Sequence, residues 1–169
     1  LNDRQLLPYL AGCIDCDGYI SISSRYKRRV SDGSEVTYFV AIMGLSQVTP
    51  QVPTLLADRF GGRVRVYEYN TREHNLPAYM WQVSNAQAAA ASATLKPYLQ
   101  VKAEQAALVQ RFVKLPSVNG RRMTPEEIAA RQDLRDAAIA LNSQGRRHRG
   151  NSRTRRSSGQ PEGSSPLPR

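Results

Sequence analysis

From residue 19 the chain alternates. Ile20 and Ile22 fall on one side of an extended segment, while Tyr19, Ser21, Ser23, Arg25 and Lys27 fall on the other, the period of two expected of a half-buried strand. Before it, Pro8 suits only the first turn of a helix, which predicts a helix starting near Leu7 and ended by Gly18. The stretch SDGS, centred on Asp32 and Gly33, predicts a hairpin connection. The return strand, VTYFVAIMGLSQ over residues 36–47, is apolar on both faces, so alternation assigns neither face to the core.

Residues 50–60 predict a short helix with Pro53 in its first turn, closed by Gly61 and Gly62. A second hairpin follows. Arg63, Arg65, Tyr67 and Tyr69 alternate with Val64, Val66, Glu68 and Asn70; after the polar loop TREHNLP, residues 78–84 point Tyr79, Trp81 and Val83 to the core and Met80 and Gln82 away from it. Asn85 is expected to cap an alanine-rich helix reaching about Leu95, and Pro97 to break it. Another helix is expected over residues 101–115. Thr124, Pro125 and Glu127 form a capping box that opens a last helix running to about Asn142.

This order predicts an α+β fold: a four-stranded antiparallel sheet with helices on one face and a face of Arg, Lys, Ser, Tyr and Gln on the other. A two-stranded ribbon fits the major groove of B-DNA, which makes that polar face a candidate reading surface. An ordinary solvated sheet face has the same pattern.

Composition narrows the choice of partner. The 169 residues suffice for one domain, expected over residues 1–145. Residues 146–169 hold seven arginines against one acid with almost nothing apolar, and are expected to be a disordered basic tail. Of the net charge of +10, the tail supplies +6 and residues 1–145 only +4. The total points to a polyanion without separating nucleic acid from an anionic membrane surface. No apolar run approaches the length of a membrane span, and no signal-peptide pattern opens the chain; a soluble intracellular protein is expected. Cys13 and Cys16 form the one C-x-x-C. His74 and His148 show no ligand spacing with it, and the cysteines follow helical residues instead of opening a helix, so buried, reduced cysteines are expected.

The densest chemistry lies in residues 10–18, LAGCIDCDG. Gly12 and Cys16, four apart, share a helical face that lets another backbone approach closely. Asp15 and Asp17 stand where the helix ends, so a carboxylate can project toward a ligand.

Seven of these nine positions match the LAGLIDADG motif, with Cys13 and Cys16 as the departures. The chain thus resembles the LAGLIDADG homing endonucleases, and in particular the single-motif branch: LSQVT precedes the helix ending in FGG, and LKPYLQVKAEQAALV is similar to the family's P-x-L-x-x-K-x-x-Q-A block. The predicted order is the αββαββα core of that family, spanning roughly residues 6–142, with the polar sheet face toward DNA. The resemblance implies a catalytic set of Asp17, Gln47 and Lys102, with Gln51 a nearby competitor for Gln47. Asp17 would bind Mg²⁺, with Ca²⁺ or Mn²⁺ as substitutes, and no small-molecule cofactor is implied. Asp15 is expected to be structural.

One motif copy supplies one such carboxylate, so a two-carboxylate site needs a second chain. A twofold homodimer packed through Gly12 and Cys16 would bring both Asp17 side chains beneath double-stranded DNA and read a long, roughly palindromic target. The DNA-contact candidates are Ser21, Ser23, Arg25, Lys27, Arg63, Arg65, Tyr67, Tyr69, Met80 and Gln82. The expected activity is Mg-dependent double-strand cleavage. A nuclease-inactive intron RNA maturase or DNA regulator on the same fold is the alternative, and a thiol redox protein using Cys13 and Cys16 is a third reading.

Overall fold

The computed structural model describes residues 2–28, 33, 35–68, 76–116 and 121–147. Helix α1 (Asp3–Asp17) runs into β1 (Gly18–Arg28), which pairs with β2 (Glu35–Gln47). Helix α2 (Gln51–Phe60) leads to β3 (Arg63–Tyr67) and β4 (Ala78–Ser84). Helix α3 (Asn85–Leu95), a 3-10 turn (Lys96–Tyr98), α4 (Ala103–Val113) and α5 (Pro125–Arg147) complete the order. All strand pairs are antiparallel, and the four strands lie in the order β1-β2-β4-β3.

The period-two reading of β1 and β4 holds except at Tyr79, which was expected in the core but lies opposite Gln47, past the core, and is only half-buried. Ile20, Ile22, Trp81 and Val83 are buried, and from β2 Ala41, Met43 and Leu45 join them. Against this face pack Leu10, Ala11 and Ile14 of α1, Val52 and Leu56 of α2, Ala88, Ala91 and Leu95 of α3, and Val109 of α4. The opposite face of β2 is Tyr38, Val40, Ile42 and Ser46, which is why alternation could not assign the strand. Helix α5 protects the free edge of β1: Asn142 Nδ2 donates to the Ile20 carbonyl at 3.2 Å.

Four local expectations need correction. Helix α1 starts at Asp3, capped by Asn2 Oδ1 accepting from Gln5 N at 3.2 Å, so Pro8 lies inside the helix. Its ring removes one helical hydrogen bond, at a cost on the order of 3 kcal/mol, which burial of Leu10 and Ile14 offsets. Gly18 ends α1 in extended backbone, not a left-handed cap; a β-carbon there would lie 2.8 Å from Ile14 Cα, so the position needs glycine for space. Asn85 does not cap α3. It is the helix's first residue, with φ of 47°, and its Oδ1 accepts from Ala41 N at 3.2 Å, tying the helix start to β2. Helix α4 opens at Ala103, two residues later than expected, with Lys102 at its N-cap.

Two other expectations fare better. The capping box forms as read, with Thr124 N donating to Glu127 Oε2 at 2.9 Å and Glu127 N donating to Thr124 Oγ1 at 3.3 Å. Gly61 and Gly62 both adopt positive φ after α2, and the Gly61 carbonyl accepts from Trp81 Nε1 at 2.8 Å. Helix α5 continues through Gly145 to Arg147, past the expected boundary at 145/146. Asp32, the loop residues 69–75 and the tail from 148 lie outside the described residues.

Candidate active site

Three segments converge on the C-terminal turn of α1. Asp15 turns back toward the segment before α4, and its carboxylate accepts from the backbone N–H groups of Gln100 at 2.7 Å, Val101 at 3.2 Å and Lys102 at 2.9 Å. This is the structural use expected of Asp15. It also fixes Lys102, whose Nζ reaches back to donate to the Ile14 carbonyl at 2.8 Å and to the Asp15 carbonyl. These are orphan carbonyls of the helix end, where a cation is favourable.

Asp17 follows on the last residue of α1, and Gln47 Nε2 donates to its Oδ2 at 2.9 Å. Gln47 shares the sheet face of Met43 and Leu45 but lies past the core at the strand's end, where a polar side chain can meet the helix terminus. Gln51, the competitor by sequence, is an exposed residue at the start of α2.

The electrostatics follow from this packing. Burial pushes the pKa of Lys102 below its ordinary value, and the charges of Asp15, Cys16 and Asp17 oppose that shift in part. With two of its three N–H groups on carbonyls, an ammonium at Lys102 keeps one donor for a further partner. Asp17 Oδ2 is engaged by Gln47, and Oδ1 has no hydrogen bond among the described residues. Among the described residues no three of His, Cys, Asp and Glu gather to hold a metal. The donors present, a single hard carboxylate beside an amide, suit a cation such as Mg²⁺ that takes few protein ligands and retains several waters.

The α1 surface away from the core is open. Gly12 has nothing within 4 Å of where its β-carbon would stand, and Cys16 is exposed. Tyr9, one turn before Gly12 on the same helical face, is 47% exposed, and Val101, whose N–H is bound by Asp15, is 69% exposed. Cys13 is half-buried next to Tyr9, so neither cysteine is buried within the single chain, contrary to expectation; both are free thiols. Burial pushes the Cys13 thiol up, partly countered by the Tyr9 hydrogen bond, and both cysteines lie at the end of α1 farthest from its N-terminus. A redox thiol needs the opposite arrangement.

The outer sheet face gathers Ser21, Ser23 and Arg25 from β1, Arg63, Arg65 and Tyr67 from β3, and Met80 and Gln82 from β4. Arg25, Arg63 and Arg65 are exposed and pair with no acid among the described residues. A depression of about 250 Å³ is lined in part by Arg63, Arg65, Tyr67, Met80 and Gln82. Lys27 falls on the same face by register, with its side chain outside the described residues, as is Tyr69.

Alternation puts Tyr19 on this face, but sequence reading assigned no role to it or to Gly44. The Tyr19 hydroxyl donates to Gln82 Oε1 at 2.8 Å, across Gly44 of the intervening strand. The available signal was an isolated glycine inside a strand, which marks a close approach. Val40 and Ile42, also on this face, were unassigned for the reason given above.

No protein-family model matches the chain, and no curated protein matches it in sequence. Solved structures do. The homing endonuclease I-CvuI, in complex with the I-CreI target in the presence of Mg, aligns at a TM-score of 0.63 and 22% identity over 90% of this chain and 87% of that one. The archaeal intron-encoded homing endonuclease I-Vdi141I complexed with DNA aligns at 0.59 and 18% identity, covering 80% of this chain and 82% of that one. The I-LtrWI LAGLIDADG homing endonuclease bound to target DNA aligns at 0.58 and 16% identity, covering 80% of this chain but 45% of that one.

Proposed function

We propose that this chain, which has the fold of the LAGLIDADG homing endonucleases, is a homodimeric, site-specific DNA endonuclease making a double-strand break by Mg-dependent phosphodiester hydrolysis. The observation that carries the reading is the Gln47–Asp17 hydrogen bond at the end of the motif helix, with Lys102 anchored on the same helix turn. Gln47 meets the Asp17 carboxylate and Lys102 the backbone carbonyls just before it, where α1 enters a sheet whose outer face is basic.

Hydrolysis requires a water in line with the scissile P–O bond, neutralisation of charge on the phosphoryl oxygens, and departure of a sugar oxygen. Mg²⁺, when bound, supplies positive charge against the phosphate. Asp17 would hold it, with Gln47 keeping that carboxylate oriented and offering its remaining amide oxygen to the attacking water. The remaining N–H of Lys102 faces the charge that develops on phosphate oxygens. The second carboxylate comes from a second copy, packed through the open face of Gly12 and Cys16 with Tyr9 and Val101 alongside.

Incubating the full chain with a library of long duplexes and Mg²⁺ tests the proposal. Cleavage of both strands at one roughly palindromic sequence is expected. Asp17→Asn should reduce cutting by at least about a hundredfold, the scale of losing a key electrostatic group, while binding in Ca²⁺ persists. Selected duplexes that are bound but never cut, or tighter binding to structured RNA at matched salt, would rule the nuclease reading out.

A further inference from the structure

Tyr19 opens a row that crosses the sheet. It is opposite Gly44 on β2, Gly44 is opposite Gln82 on β4, and Gln82 is opposite Arg63 on β3. Side chains on a sheet normally stand out from its plane, and a tyrosine standing out at position 19 would be a simple surface residue. Its ring lies over the neighbouring strand instead. A β-carbon at position 44 would be 2.5 Å from the Tyr19 hydroxyl oxygen and 2.6 Å from its ring carbon Cζ, so only glycine leaves room. The half-buried ring ends with its hydroxyl on Gln82 Oε1 at 2.8 Å.

The consequence falls on Gln82. A carboxamide has an acceptor oxygen and a donor NH₂ at opposite corners. With Oε1 engaged by Tyr19, the Nε2 donors are left free on an exposed residue that stands opposite Arg63 and lines the depression with Tyr67 and Met80. An unrestrained glutamine can use both corners on adenine, accepting from N6 and donating to N7. A glutamine held this way has one oxygen lone pair taken by Tyr19 and both Nε2 donors free, which suits the acceptor edge of guanine better than the mixed edge of adenine. Burial and the neighbouring Tyr67 both push the Tyr19 hydroxyl above its ordinary pKa, so it stays a donor throughout the neutral range.

We infer that Tyr19 is a positioning residue that holds the Gln82 amide with its donors presented to one base pair per half-site, favouring guanine over adenine. The inference rests on the DNA-binding reading above and goes beyond it by setting what one position recognises.

The full-length wild type, Tyr19→Phe and Gln82→Ala should each be used to select duplexes from a randomised pool in Ca²⁺. Wild type should disfavour adenine at one position of each half-site. Tyr19→Phe should shift that position toward adenine by about fivefold or more, the scale of one base contact, with other positions unchanged, and Gln82→Ala should flatten it. A Tyr19→Phe variant that selects the wild-type base distribution at every position overturns the inference while leaving the nuclease proposal intact. A wild type that selects no sequence at all removes both. Independently of DNA, the Gln82 side-chain amide signal, assigned by its loss in Gln82→Ala, should move in the ¹⁵N spectrum of Tyr19→Phe; an unmoved signal also overturns the inference. A merely structural tyrosine would change the melting temperature without touching base preference.

Discussion

At the scale of single residues, the two acids of the motif have separate duties. Asp15 satisfies three backbone N–H groups of the segment that delivers Lys102, so Asp15→Ala should destabilise the chain by about 3 kcal/mol, read in urea unfolding. Lys102 makes a pH-dependent prediction. Its pKa is lowered in the folded chain relative to 10.5, so in the window between the two values the unfolded chain binds more protons and stability rises with pH. Relative to a Lys102→Met variant, wild type should therefore gain stability on going up through that window. If the ammonium is the acting form, cutting should decline over the same window, measured as a pH–rate profile. The three segments of the candidate site were legible only through the resemblance of LAGCIDCDG, LSQVT and LKPYLQVKAEQAALV to known blocks, because local polarity alone does not single out Asp17, Gln47 and Lys102. Sequence did not show that Gln82 is engaged, because a hydrogen bond across three strands depends on their order in the sheet, which no local pattern encodes.

At the scale of elements, local chemistry was read well where a side chain acts on its own neighbourhood and poorly where a distant strand intervened. The α5 capping box is local. Its Glu127 accepts from Arg121 and Thr124, and the Arg121 guanidinium holds its carboxyl down at about 2. A depressed folded pKa means the contribution is complete above the ordinary carboxylate value and lost as pH falls toward 2. Wild type should lose α5 helicity over that descent more than Glu127→Gln does, followed by far-ultraviolet circular dichroism. Asn85 is the contrary case: its type suggests a cap, yet the backbone N–H of Ala41 claims its side chain. Likewise Pro8 argues for a helix start, and the Asn2 cap together with buried Leu10 and Ile14 extends the helix past it. Tertiary packing outranks propensity at both positions.

At the scale of the whole molecule, charge and shape divide the labour. Residues 1–145 are only mildly basic, and most of the net charge of +10 lies in the tail. Ending the chain after Arg147 should lower the slope of log affinity against log salt by no more than about four, while leaving the selected base sequence unchanged. A loss of base preference would show instead that the tail reads sequence. No helix among the described residues is long and apolar enough to cross a membrane.

The glycine beneath the Tyr19 ring has a historical consequence. Any side chain gained at position 44 collides with the tyrosine and with the Trp81 carbonyl, 2.7 Å from the would-be β-carbon. The tyrosine can swing aside, whereas the carbonyl belongs to the backbone. Position 44 is therefore held at glycine whether or not the tyrosine remains, whereas position 19 is free to change above it. Related chains should show varied residues at position 19 over an unvarying glycine at position 44.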